Sequence, residues 1–204
     1  MMTLRTGFVS SSNSRAEWRG LRAVGVEDGG FSRKSLRPSS QTALLVCVLL
    51  QGPWVLDFRA DQILVDGLDA SEKLVCMLSG LCFDAVMLAG VSFAGFNLVD
   101  PSLVFEEFHK PILVISRTKP DNLAVKSALV RHFDDWRVRW SIFEKLSPIF
   151  EVVSLPNEPP LYIEAVGCNV SWATDLIRAS ASVCRVPEPI RVAKLIARGL
   201  THKC

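Results

Sequence analysis

Apolar residues along this chain fall into short unbroken runs separated by turn signals, the pattern of strands buried on both faces. The first run, residues 21–27, ends at Asp28-Gly29-Gly30. A basic polar stretch, residues 32–41, leads into the run 42–50, which Gln51-Gly52-Pro53 breaks. Residues 54–58 and 63–65 read as one or two further strand pieces, closing at Asp66-Gly67. Three such runs with short connections predict an antiparallel meander.

The period then changes. Asp69-x-x-Glu72 has the form of a helix-opening pair, and Leu74, Met77, Leu78 and Leu81 follow at helical spacing. Residues 85–88 read as a short buried strand, 90–97 as a loop, 101–108 as a helix and 111–116 as a second buried strand. Asp121 can cap a helix in which Val125, Leu129 and Phe133 share a face. Strand pieces are expected at 149–153 and 162–166, and a helix at 171–179. A last helix is expected between Pro189, a favoured first-turn residue, and Gly199, a favoured stop. Strands followed by alternating helices and strands predict an α/β fold: an open mixed sheet with helices on both faces.

Composition alters this picture little. The chain has 204 residues, 49% hydrophobic and 22% charged. One core is expected, and disordered, coiled-coil and collagen-like classes are excluded. Mean hydropathy is +0.27, yet the longest apolar run, residues 43–50, falls far short of the roughly 18–20 residues a spanning helix needs. No membrane partner is therefore expected. Residues 1–20, rich in serine and arginine, read as a disordered or leader-like arm lacking the apolar stretch of a secretory signal. Its Arg5, Arg15 and Arg19, with Arg22 beyond it, could lie along a phosphate backbone. Residues 21–204 read as a single domain. A net charge of +2 permits contact with nucleic acid without requiring it. Cys47, Cys76, Cys82, Cys168, Cys184 and Cys204 form no C-x-x-C pair and have no histidine cluster near them. Neither zinc nor a disulfide partner is expected, most of the thiols read as small buried hydrophobes, and the expected setting is a reducing cytoplasm.

Candidate chemistry lies with the acids. Nucleophile-elbow, phosphate-loop and H-E-x-x-H motifs are absent, and His109, His132 and His202 read as surface or helix-end residues. Glu27 and Asp28 close the first strand and Asp66 closes the third. In a meander these strands finish over one end of the sheet, where gathered carboxylates repel unless a divalent cation neutralises them. Hard oxygen ligands without histidine favour Mg²⁺ or Mn²⁺ and suit phosphodiester hydrolysis. The competing reading is ordinary turn acids, since Asp-Gly is a routine turn dipeptide. Asp69 can cap the helix that follows it, and Asp84, Asp100 and Asp121 have the spacing of turn or cap residues.

Several strings carry a family resemblance. They are residues 24–31 (VGVEDGGF), 63–73 (ILVDGLDASEK), 87–100 (MLAGVSFAGFNLVD), 117–121 (RTKPD) and 187–193 (PEPIRVA). From about residue 21 to the C-terminus the chain resembles the archaeal endonuclease dU family, a group related to endonuclease V. The resemblance implies a ribonuclease H-like fold and a metal-dependent endonuclease of the DNA-repair kind that nicks DNA containing deoxyuridine. It implies Glu27, Asp28 and Asp66 as catalytic metal ligands for Mg²⁺ (or Mn²⁺), with Asp69 as a further ligand. The sequence departs from the family at Glu27, where aspartate is usual, and at Ala89, where endonuclease V has an aspartate. Phe93, Phe96 and Asn97 offer aromatic faces and an amide for a uracil edge, and Arg117 and Lys119 could hold phosphates. A core role for the phenylalanines and a turn role for Asn97 stand beside that reading. So does a non-catalytic nucleic-acid-binding or scaffold protein on the same fold.

Overall fold

The computed structural model describes residues 20–30 and 41–201. The expectations for the arm (residues 1–19), for residues 32–40, and for His202 and Cys204 lie outside the described residues. Three strands open the chain: β1 (Arg22–Asp28), β2 (Thr42–Gln51) and β3 (Trp54–Leu64). They form the expected meander, with Asp28 opposite Leu45 and Thr42 opposite Leu64. The one or two pieces expected for the third run are one strand, because 54–64 stays paired with β2 across a β-bulge at Leu56. Then come α1 (Ala70–Leu78), β4 (Ala85–Leu88), a small hairpin of β5 (Ser92–Phe93) and β6 (Asn97–Leu98), α2 (Pro101–Phe108) and β7 (Ile112–Ser116). The chain finishes with α3 (Asn122–His132), α4 (Trp136–Glu144), β8 (Phe150–Val152), β9 (Leu161–Val166), α5 (Val170–Ser180) and α6 (Glu188–Thr201).

Seven strands make one sheet in the order β3-β2-β1-β4-β7-β9-β8. β4 runs parallel to β1 and to β7, whereas β9 is antiparallel to β7 and β8. The central strands are buried on both faces, which explains their unbroken apolar runs. On β1 the alternation is direct: Val24 and Val26 join the core under α1 and α2, while Ala23 joins the core under α5. Helix α6 covers the second face of β1 and β2, packing Ala193 and Ala197 on Val46, Val48 and Leu50. No helix among the described residues is long and apolar enough to cross a membrane.

Three local expectations need correction. The loop expected at 90–97 contains the β5–β6 hairpin. Helix α4 has no counterpart in the sequence reading, because one of its two inward positions is Arg139, 4% exposed, the other being Ile142, while Val138 is 58% exposed. Cys47 is buried, but Cys76 and Cys82 are exposed. Cap residues followed their spacing more closely. Asp100 accepts hydrogen bonds from Ser102 N and Leu103 N, and Asp121 from Ala124 N.

Candidate functional site

The meander register brings the last residue of β1 and the last of β3 to the same end of the sheet, on either side of the start of β2. Adjacent residues on a strand face opposite ways, so Glu27 and Asp28 are divided between the two faces. Glu27 shares the face of Gly25, where α6 lies. A Cβ at Gly25 would overlap the backbone of Pro189 and Ile190, so glycine is what lets this helix sit against β1. Two residues along the strand advance about 6.6 Å, and four along the helix about 6 Å. Lys194, one turn beyond Ile190, therefore arrives over Glu27, with Nζ 3.4 Å from Oε1.

Glu27 and Lys194 form the wall common to two cavities. One, of about 600 Å³, is also lined by Asp28, Gly29, Gly30, Arg198 and Thr201. The other, of about 340 Å³, includes Ala89, Ser116, Arg117 and Thr118. Burial pushes the Glu27 carboxyl above its ordinary range; Lys194 and Arg117 pull it back, and the Asp28 charge pushes it further up. Burial raises Asp28 as well, against the lowering effect of the amide hydrogen bond from Ala94.

Asp28 and Asp66 both hold the β5–β6 hairpin. Asp28 Oδ2 accepts a hydrogen bond from Ala94 N, and Ala94 O accepts one from Asp66 N. Asp66 Oδ1 in turn accepts from Phe96 N at 2.8 Å. Gly95, at φ +87°, fits beneath that carboxylate, where a Cβ would collide with Oδ1. Asp69 occupies the first position before α1 but makes no side-chain cap. Its Oδ1 accepts instead from Leu64 N at 3.2 Å and from Asn97 Nδ2 at 2.5 Å. Asn97 is fully buried, donating also to Leu64 O and accepting from Ala70 N.

Arg139 completes this arrangement and was missed by the sequence reading. It donates to Asp66 O, Gly67 O and Phe96 O at 2.6–2.9 Å and pairs with Asp135 at 2.8 Å. Its guanidinium lies 4.2 Å from the Phe133 ring, against which Phe96 packs edge to face. The available signal was Asp135-x-x-x-Arg139, a helical ion pair flanked by Trp136 and Trp140.

The expected site residues thus divide into two groups. Glu27, Asp28 and Arg117 reach the cavities; Asp66 and Asp69 do not line them, and their carboxylates bind backbone and amide groups. Phe93 is 1% exposed and part of the core, and Phe96 packs on Phe133. With its amide satisfied inside the protein, Asn97 presents no edge to a ligand. Lys119 is exposed, and its chain neighbours Thr118 and Pro120 line the second cavity while it does not. No group of three His, Cys, Asp or Glu side chains comes together among the described residues. Two carboxylates at one cavity do suit Mg²⁺, which commonly takes one or two from protein and completes its shell with water and substrate phosphate.

A mixed sheet of this order, with acids and basic side chains at the end where β1 and β3 finish, is a ribonuclease H-like fold. The chain belongs to the endonuclease dU family, whose model matches residues 19–201. A UPF0215 protein of Thermococcus gammatolerans is 36% identical over 183 residues, covering 88% of this chain and 92% of the relative. A solved structure of a protein of unknown function from Archaeoglobus fulgidus superposes with a TM-score of 0.77 at 29% identity, covering 90% of this chain and 99% of that one. Endonuclease V of Ciona intestinalis, solved with a 24mer DNA containing an inosine, shares the fold at TM-score 0.60 and 14% identity, over 92% and 93% of the two chains.

Proposed function

We propose that this protein is a DNA endonuclease that nicks at or near deoxyuridine, using the end of the sheet where Glu27, Asp28 and Lys194 meet. The observation that carries this reading is the Glu27–Lys194 pair set between two cavities, with Arg198 on one side and Arg117 on the other. Lys194, Arg198 and Arg117, at or between these two adjoining cavities, can neutralise phosphates, which fixes the strand without reading its sequence. Glu27, with its carboxyl raised by burial, is suited to take a proton from a water attacking phosphorus. The P–O bond opposite that water breaks, and the Lys194 ammonium can stabilise or protonate the departing oxygen. Glu27 and Asp28 would hold Mg²⁺ or Mn²⁺, which when bound supplies positive charge to the phosphoryl oxygens and lowers the pKa of coordinated water.

A second reading rests on one specific observation. The Lys194 ammonium already neutralises Glu27, and Ala89, just beyond β4, contributes no side-chain oxygen. A protein so arranged could bind DNA without cutting it. A nicking assay on uracil-containing and plain duplexes, with Mg²⁺ and with chelator, separates the two. Endonuclease activity predicts metal-dependent nicks at uracil that Glu27→Gln abolishes while DNA binding remains. Binding to both duplexes with no nick in any condition supports the second reading instead.

A further inference from the structure

Lys194 is the single amine among the described residues that line the two cavities. The other cations there are guanidinium groups, Arg198 in the larger cavity and Arg117 in the smaller, which hold their charge and serve as fixed hydrogen-bond donors. Neither guanidinium has a hydrogen bond or salt bridge among the described residues. A primary amine has a use besides its charge: it adds to a carbonyl carbon and forms an imine. Two features of the site suit that chemistry. One is a proton acceptor in place, since Glu27 Oε1 lies 3.4 Å from Nζ with the lysine and glutamate side chains 24% and 12% exposed. The other is the apolar wall of the smaller cavity, where Ile115, Val186 and Ile190 limit water around the amine.

We propose that Lys194 forms an imine with the C1′ aldehyde of an abasic deoxyribose in DNA and cuts the strand there by β-elimination. The inference rests on the reading that DNA lies at this site. An abasic sugar carries a phosphate on either side, and Lys194 stands between two guanidiniums, Arg117 and Arg198, able to hold them. Glu27 takes a proton from the ammonium, and Nζ bonds to C1′ as the carbonyl π bond opens onto oxygen. Glu27 returns the proton and that oxygen leaves as water, which completes the imine. Glu27 then removes a proton from C2′. The freed electron pair forms the C2′=C3′ double bond and breaks the C3′–O3′ bond, and the departing phosphate takes the proton from Glu27. Water finally hydrolyses the imine, restoring the Lys194 ammonium and leaving an unsaturated aldehyde on the new strand end. One water is released and one consumed, no group is oxidised or reduced by an outside reagent, and no step calls on a metal ion.

The test incubates the full chain in EDTA with a duplex carrying one abasic site, with and without sodium borohydride, which reduces an imine to a stable amine. The expected result is a covalent protein–DNA adduct that mass spectrometry maps to Lys194. Without borohydride, the strand should be cut and end in the unsaturated aldehyde. Lys194→Arg keeps a cation beside Glu27, so it should bind the abasic duplex within about twofold of the parent chain yet form at least about tenfold less adduct. Fluorescence anisotropy measures that binding and circular dichroism the fold; if the variant does not fold, the adduct map of the parent chain decides. A chain that binds the duplex and forms no adduct overturns the proposal. So does an adduct on another lysine, or one undiminished in Lys194→Arg. Metal-dependent nicking at uracil without any adduct sinks this inference and leaves the endonuclease reading standing, whereas a chain that binds no duplex refutes both.

Discussion

Lys194 and Glu27 meet at 3.4 Å although 167 positions separate them, and the residue that permits the contact is neither of the two. Gly25 leaves room for the first turn of α6 against β1, which delivers Lys194 to the strand's end. Gly25→Ala should therefore act at a distance. Its Cβ meets backbone atoms that cannot swing aside, so the cost should fall at the upper end of the ~1–3 kcal/mol range for overpacking. Chemical denaturation measures that loss, and DNA binding should weaken in parallel as α6 moves off the sheet. Unchanged stability would show that α6 can shift at no cost.

Removing the cation tests the electrostatics. In Lys194→Met, burial still opposes the Glu27 charge while the largest opposing influence is gone, so the Glu27 pKa rises further. If nicking needs ionised Glu27, the acidic limb of the pH–rate profile moves to higher pH. The slope of log affinity against log salt should also flatten by roughly 0.7–0.9 if one phosphate contact is lost. A profile that does not move would remove Lys194 from the electrostatics of Glu27.

Metal binding should discriminate among the acids. Mg²⁺ or Mn²⁺ bound only by the native state raises the melting temperature. Asp28→Asn, at the cavity, is expected to abolish that increment. Asp66→Asn and Asp69→Asn, whose carboxylates bind the hairpin and the end of β3, should lower the melting temperature without metal and keep the increment. Loss of the increment in Asp66→Asn would bring that residue into the metal site.

Arg139→Met should be among the most damaging single changes. It leaves the Asp66, Gly67 and Phe96 carbonyls without their donor and Asp135 without its partner. Each buried carbonyl left without a donor costs about 1–3 kcal/mol, whereas Asp135, 37% exposed, can turn to water. Arg139→Lys should rescue little, because an ammonium cannot reproduce the planar fork that reaches three carbonyls and a carboxylate. Urea denaturation of both variants checks the order.

Glu164, 7% exposed on β9, has its carboxyl pushed up to about 7 by burial. The native state therefore holds a proton that the unfolded chain releases near the ordinary value of 4.5. Stability is fully kept below that unfolded value, falls as pH rises between the two, and levels off above about 7. The span corresponds to on the order of 3 kcal/mol. Glu164→Gln should remove most of this slope and be more stable than the parent at pH 8, as paired melts at pH 5 and pH 8 would show.

Local chemistry determined much of this protein before any contact was known. The runs ending at Asp28-Gly29-Gly30 and Asp66-Gly67 marked the meander, because turn dipeptides and unbroken apolar stretches act within a few residues. Asp100 and Asp121 showed as caps for the same reason, and the strings VGVEDGG and VDGLDASEK carried the family. Tertiary structure alone decided which acids share a cavity. Strand alternation sends Glu27 and Asp28 to different faces, and the hairpin at 92–98 claims the carboxylate of Asp66. Asn97 claims that of Asp69, and no spacing in the chain announces either partner. Arg139 was hidden for a related reason. A charged side chain reads as surface until the fold brings it the carbonyls that make its burial favourable, and those lie 43 to 73 residues away.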